Sequence, residues 1–206
     1  MTKLLYQGHA SARITTNEGY VIYIDPFAGE GYDEPADLVL ITHEHFDHNQ
    51  VHLMPEGPKA SFLRTQTIIN EDGSYNTFDL FGVHIQPVSA YNDHHNVRNC
   101  CGLVLDVDGL RIYHAGDTSK THDMTSGKLA KMNIDYALLP CDGHYNMNAA
   151  EASECAKLIG AKHSIPIHTH PVSNPNNPGQ IFDPDVAGKF EAEGRIILIP
   201  GQEIEL

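Results

Sequence analysis

Apolar positions in this chain fall into short runs bounded by Gly, Pro, Asn and Asp, a spacing that predicts many short strands and few helices. Residues 4–7, 12–16 and 20–24 read as a meander with Asn17-Glu18-Gly19 as a turn. A buried strand at 38–41 follows, then 60–63, a hairpin turn at Glu71-Asp72-Gly73-Ser74, and strands near Val83, Leu103 and Arg111. The last two are joined by Val107-Asp108-Gly109, and residues 137–139 and 163–167 complete the series. Helical spacing is clearest over 148–159, where Asn148 is the N-cap, Glu151 lies three residues on, and Ala152, Cys155, Ala156 and Ile159 share a face. Residues 121–132 and 184–192 read as two more helices, the second stopped by Gly194, before 195–199 returns to strand. The pattern gives a mixed α/β class, expected as one domain over 1–206 without repeat or linker, with 174–179 as a surface loop.

The chemistry collects where these strands end. Leu38-Val39-Leu40-Ile41 runs directly into Thr42-His43-Glu44-His45-Phe46-Asp47-His48. His43 and His45 can point to one side if the backbone stays extended, while Asp47 and His48 fall on the next turn and can reach a second point nearby. One loop could therefore serve two cations, and imidazole with carboxylate suits zinc, manganese or iron. Further donors follow comparable strands: Asp93-His94-His95 after 83–88, Ala115-Gly116-Asp117-Thr118 after 110–114, and His168-Thr169-His170 after 163–167.

In this order H-x-H-x-D-H, a lone His, G-D-T and a strand-terminal His, the chain resembles the metallo-β-lactamase superfamily over nearly its whole length. Gly8-His9-Ala10-Ser11, Ile24-Asp25-Pro26-Phe27, residues 137–140 and Ile165-Pro166-Ile167-His168 resemble its stand-alone hydrolase branch, which includes ascorbate-6-phosphate lactonase-like proteins. The resemblance implies an αββα sandwich, two mixed sheets flanked by helices. It also implies His43, His45 and one of His94 and His95 on a first metal, with His95 favoured, and Asp47, His48 and His168 on a second. Asp117 would bridge the two. The expected cofactors are two divalent ions, Zn2+ first, with Mn2+ or Fe2+ as alternatives.

Two cations sharing a water would lower its pKa from about 15.7 towards neutrality, so no Ser or Cys nucleophile is required. Asp47 is the expected residue for orienting that water or relaying its proton, and His144 in Cys141-Asp142-Gly143-His144-Tyr145 is a second catalytic candidate for an anionic group or a proton. His9 is either a hydrogen-bond donor behind the metals or a buried structural residue. His114 is expected in the core, His170 in solvent, and His52, His84, His122 and His163 in structural roles. The expected reaction is hydrolysis of a small ester, lactone or phosphodiester; a di-iron redox protein and a non-catalytic metal-dependent sensor are the alternatives.

Composition narrows the classes. The 206 residues are 41% hydrophobic, enough for one sizeable core. A net charge of -14, with only 13 Lys and Arg and no basic run, argues against a nucleic-acid partner and leaves a small molecule, expected to be anionic. No apolar stretch approaches the roughly 18 residues of a membrane helix, and the opening residues do not resemble a signal peptide, so the expected location is cytoplasmic without membrane attachment. Four cysteines, two adjacent at Cys100-Cys101, make no disulfide framework. The sequence leaves homo-oligomerisation open.

Overall fold

A computed structural model describes residues 1–174 and 176–206; Pro175, within the expected surface loop at 174–179, lies outside the described residues. The strands are β1 (Lys3–Gly8), β2 (Ser11–Thr15), β3 (Val21–Ile24), β4 (Ala36–Leu40), β5 (Glu56–Leu63), β6 (Phe78–Leu80), β7 (Val83–Ser89), β8 (Cys101–Val107), β9 (Leu110–His114), β10 (Tyr136–Pro140), β11 (His163–Ile167) and β12 (Gln202–Glu205). The α-helices are α1 (Thr65–Ile68), α2 (His122–Thr125), α3 (Ala149–Ile159) and α4 (Pro184–Lys189). They form two six-stranded sheets, ordered β12-β1-β2-β3-β4-β5 and β11-β10-β9-β8-β7-β6. Each sheet is mixed: its first-formed strands pair antiparallel, and parallel strands are added at β4 and β5 in one and at β10 and β11 in the other. This is the αββα sandwich.

Strand alternation explains the core. Leu4 and Tyr6, Ile22 and Ile24, and Leu38 and Leu40 face Leu103 and Leu105, Ile112, Leu138 and Ile165 between the sheets. Side chains one position along face outward. On the second sheet Val104, Tyr113, Ala137 and Leu139 are covered by Ala152, Cys155, Ala156 and Ile159 of α3 and by Phe190. On the first sheet Val21, Tyr23, Val39 and Ile41 are covered by Tyr32, Met54 and a single 3-10 turn at Val51–Leu53. The helical layers are therefore unequal.

Helix α3 has the boundaries that its sequence predicts. Asn148 accepts hydrogen bonds from the N–H groups of Ala150 and Glu151, both at 3.0 Å, and Gly160 ends the helix in the left-handed region. The helix expected over 121–132 is instead two short pieces, because Gly127 adopts φ +74° between α2 and a 3-10 turn at Ala130–Met132. The helix expected over 184–192 stops at Lys189, and buried Phe190 is already extended.

The strand expected at 195–199 is corrected. Its Ile196 and Leu198 pack inward, but the segment makes one bridge, Arg195 with Ser164, and Ile196 N–H bonds Ser164 C=O at 3.0 Å. In a parallel ladder residues i and i+2 face the same neighbour, so the next rung falls to Pro166, which has no N–H to donate. The chain then leaves β11 and pairs with β1 as β12, Lys3 opposite Glu205.

Candidate metal centre

The donors sit at strand ends along one edge of the sandwich. The first sheet contributes His9 from the β1–β2 turn, Asp25 after β3, and His43, His45, Asp47 and His48 after β4. The second contributes His95 between β7 and β8, Asp117 after β9, Asp142 after β10 and His168 after β11. The two edges are tied by backbone bonds: Cys101 N–H to Thr42 C=O at 3.1 Å and His168 N–H to His9 C=O at 2.6 Å. His9, Asp25 and His168 hold φ of +54°, +47° and +45°. Such conformations cost non-glycine residues free energy and persist where surrounding contacts impose them.

Asp117 is the meeting point. Its Oδ1 lies 3.3 Å from His48 Nε2, and its Oδ2 lies 3.4 Å from His95 Nε2, 3.5 Å from His168 Nε2 and 4.0 Å from His43 Nε2. Asp47 Oδ2 is 3.9 Å from His168 Nε2, 4.0 Å from His48 Nε2 and 3.1 Å from His9 Nε2. His45 is the exposed member and turns its Nδ1 to within 3.0 Å of His95 Nε2. Possible ligand atoms of His43, His45 and His95 all lie within 4.8 Å of one another, and so do those of His9, Asp47, His48 and His168.

The far nitrogens of the rings settle which way the lone pairs point. His48 Nδ1 is 2.9 Å from Asp25 Oδ2 and His168 Nδ1 is 2.8 Å from Asp142 Oδ2; carboxylates only accept, so each Nδ1 carries the proton. His95 Nδ1 donates to Asn92 Oδ1 at 2.8 Å. His43 Nδ1 is 3.0 Å from Thr42 Oγ1, whose own proton goes to Asp25 at 2.6 Å, so His43 is the donor there too. Every one of these rings thereby offers a bare Nε2 to Asp117, itself an acceptor. Buried Nε2 atoms of His43, His48 and His168 and Oδ1 of Asp117 have no hydrogen-bond partner. A set of acceptors converging on acceptors fits a cation between them.

The protonation preferences divide the four rings into two pairs. Burial lowers the pKa of His43 and brings His95 to about 4, keeping both rings neutral. Burial opposes charge on His48 and His168 as well, but Asp117 with Asp25 outweighs it at His48, and Asp117 with Asp142 at His168, raising both. Burial would raise Asp117 and Asp47, yet the surrounding imidazoles hold both below the ordinary carboxylate range. The site favours positive charge among anionic oxygens.

The structure brings together His43, His45, Asp47, His48, His95, Asp117 and His168 of the expected set. His95 rather than His94 turns inward; His94 is exposed and stacks edge-on to Tyr145 at 5.4 Å. The expected catalytic His144 is corrected: it is exposed and packs against Tyr145, which lines the adjoining cavity in its place. The reason lies in Asp142, whose Oδ1 accepts the N–H groups of His144 and Tyr145 at 2.6 and 2.7 Å and curls the loop, leaving Tyr145 on the cavity and His144 exposed. His9 takes the donor role behind Asp47, and His114 is in the core with Nε2 bonded to Ala10 C=O at 2.8 Å.

Asp25, Asp142, Asn92 and Thr42 received no role from the sequence. Asp25 directly follows β3 and Asp142 lies two residues past the end of β10, close to strand ends as the ligands are, and that is the available signal. A hydrogen-bonded chain also runs from Asp142 through Asn146 and Asn92 to His95, with Asn92 Nδ2 to Asn146 Oδ1 at 3.0 Å and Asn146 Nδ2 to Asp142 Oδ2 at 2.9 Å, and His168 Nδ1 lies 2.8 Å from Asp142 Oδ2 at its far end.

Comparison with known proteins identifies the family and the fold. The family model for the β-lactamase superfamily domain matches residues 3–168. A solved structure described as a Zn-dependent hydrolase of the metallo-β-lactamase superfamily, from Thermotoga maritima, superposes with TM-score 0.63 at 26% identity, covering 84% of this chain and 77% of that one. The chain belongs to the metallo-β-lactamase superfamily. A metallo hydrolase from Ignicoccus hospitalis matches with TM-score 0.72 at 25% identity, over 98% of this chain and 97% of its own. A metal-dependent hydrolase of Thermococcus onnurineus is 32% identical over 100% of both chains. This metallo-β-lactamase superfamily member is accordingly a metal-dependent hydrolase with a His/Asp cluster for metal at its strand ends.

Proposed function

We propose that the protein is a dinuclear hydrolase of a small ester, lactone or phosphodiester, zinc being the first candidate metal. His43, His45 and His95 would hold one ion, Asp47, His48 and His168 the other, with Asp117 between them. The observation that carries this reading is charge. Asp25, Asp47, Asp117 and Asp142 are four buried or nearly buried carboxylates around one cluster, and among the described residues no Lys or Arg pairs with any of them. Buried anions need compensation; if ions displace the protons that His48 and His168 otherwise favour holding, two dications supply it whereas one leaves half the charge unmatched.

Such ions, when bound, lower the pKa of water towards neutrality and polarise a carbonyl or phosphoryl oxygen. The chain's own residues do the rest. Asp25, Thr42, Asn92 and Asp142 fix the tautomer and aim of the rings. Asp47, which borders the cavity and is braced by His9, is placed to orient water and to receive and pass on its proton. Phe46, Tyr145 and Val172 exclude solvent from the same space.

Asp117→Ala tests the proposal. Elemental analysis of the purified protein should fall from two ions per chain towards one or none, with at least a 100-fold loss of metal-dependent ester or lactone hydrolysis. Unchanged metal content and turnover in that variant would reject the assignment.

A further inference from the structure

A cavity of about 330 Å3 opens over the cluster, and its walls bear on what can enter. Asp47, His95 and Asp117 form its buried side. Phe46, Tyr145 and Val172 give it apolar and aromatic surface, the exposed imidazoles of His45 and His94 line it as well, and Ser173 is exposed on its border. Among the described residues no Lys or Arg lines it, nor the hollows beside it around Asn92 and Gln66.

The basic residues near these loops are committed elsewhere. Arg64 Nη1 is held by Glu44 at 2.7 Å, and Arg98 Nη1 reaches Glu71 C=O at 3.5 Å. The N-terminus of α3 follows the Tyr145 loop, but two of its free N–H groups, those of Ala150 and Glu151, are already taken by the Asn148 side chain. Among the described residues a guanidinium fork, an ammonium and an open helix N-terminus, the strong devices that recognise phosphate or carboxylate, are therefore missing from this wall, and His94, exposed and packed edge-on to Tyr145, is its one imidazole outside the proposed ligands. The four carboxylates would offset two dications, so the loaded floor carries little excess positive charge to substitute for them, and the net charge of -14 opposes the approach of anions.

We propose that this cavity takes a compact, uncharged acyl compound with an apolar or aromatic group packed against Phe46, Tyr145 and Val172, in place of the anionic substrate that the sequence leads one to expect. This rests on the hydrolytic reading above and narrows it to neutral carbonyl substrates.

The test compares two aryl acetates that differ by a methyl group and a charge, methyl 4-acetoxybenzoate and 4-acetoxybenzoate, on the zinc-loaded protein, each rate of acetate release divided by its rate with hydroxide. The neutral ester should have at least tenfold higher kcat/KM, and bis(4-nitrophenyl) phosphate should be poorer than either. Ser173→Arg should raise relative kcat/KM for the carboxylate severalfold and leave the neutral ester within about twofold. A second readout needs no turnover: the methyl ester of 4-(trifluoroacetyl)benzoic acid should raise the melting temperature of the zinc-loaded protein at lower concentration than the free acid. Equal or better handling of the anion in either comparison overturns the inference, as does binding of neither ketone. Failure to cleave any ester while the neutral ketone binds preferentially would reject ester hydrolysis and leave the charge preference of the cavity supported.

Discussion

Asp25 illustrates how one side chain serves several neighbours at once. It accepts from His48 Nδ1, from Thr42 N–H at 2.7 Å and from Thr42 Oγ1 at 2.6 Å, and through Thr42 it also fixes His43. Removing its charge should therefore weaken two proposed ligands without unfolding the strand end. Asn tolerates the φ of +47° and can still accept from Thr42. Asp25→Asn should lower zinc affinity about 10- to 100-fold, read by competition with a chromophoric chelator, with the far-ultraviolet circular dichroism unchanged. Wild-type affinity would mean that the orientation of His48 does not depend on Asp25.

Between elements, single contacts set how helices and loops attach to the sheets. Asp123 in α2 accepts the N–H of Ser89, the last residue of β7, at 3.0 Å, and pairs with Lys128 at 2.9 Å. Burial would raise its pKa, but these partners hold it below the ordinary value. A depressed folded-state pKa means stabilisation present above the unfolded value of about 3.9 and lost as pH falls through the folded value. In urea titrations the stability gap between wild type and Asp123→Asn should thus be constant above about pH 5 and close as acid is added below pH 4; a gap widening on acidification would contradict it. The loop after β3 shows a different constraint. Gly29 has φ +101°, and a Cβ there would lie 1.7 Å from the carbonyl oxygen of Gln7 in β1. Gly29→Ala should cost more than about 1 kcal/mol by urea unfolding, a loss absent from the same change at Gly188 in α4, where φ is not positive and nothing lies within 4 Å.

For the molecule as a whole, the cluster joins two sheets that otherwise meet through apolar packing and a few hydrogen bonds such as Cys101 N–H to Thr42 C=O. His9, Asp25, His43, His45, Asp47 and His48 belong to one, and His95, Asp117, Asp142 and His168 to the other. Cations bound there would link both halves and relieve repulsion among buried carboxylates. Chelation should therefore lower the melting temperature, and added zinc should restore it in proportion to the logarithm of free ion, about 2.7 kcal/mol at one hundred times Kd. Calorimetry with and without chelator checks this; an unchanged transition would place the ions, if bound, outside the fold's stabilising contacts.

Local signals in the sequence determined the strand series, the caps of α3 and the donors in the 43–48 loop, because apolar periodicity, Asn148 and closely spaced ligands act over a few residues. The family resemblance supplied the sandwich and the partners at His95, Asp117 and His168. Tertiary structure alone decided that His144 faces solvent, that Tyr145 borders the cavity, that Asp25 and Asp142 orient ligands, and that the final strand is Gln202–Glu205 and not 195–199. Those outcomes depend on which strand ends become neighbours and where Pro166 interrupts a ladder, and contacts between residues far apart in the chain leave no periodic trace in either segment.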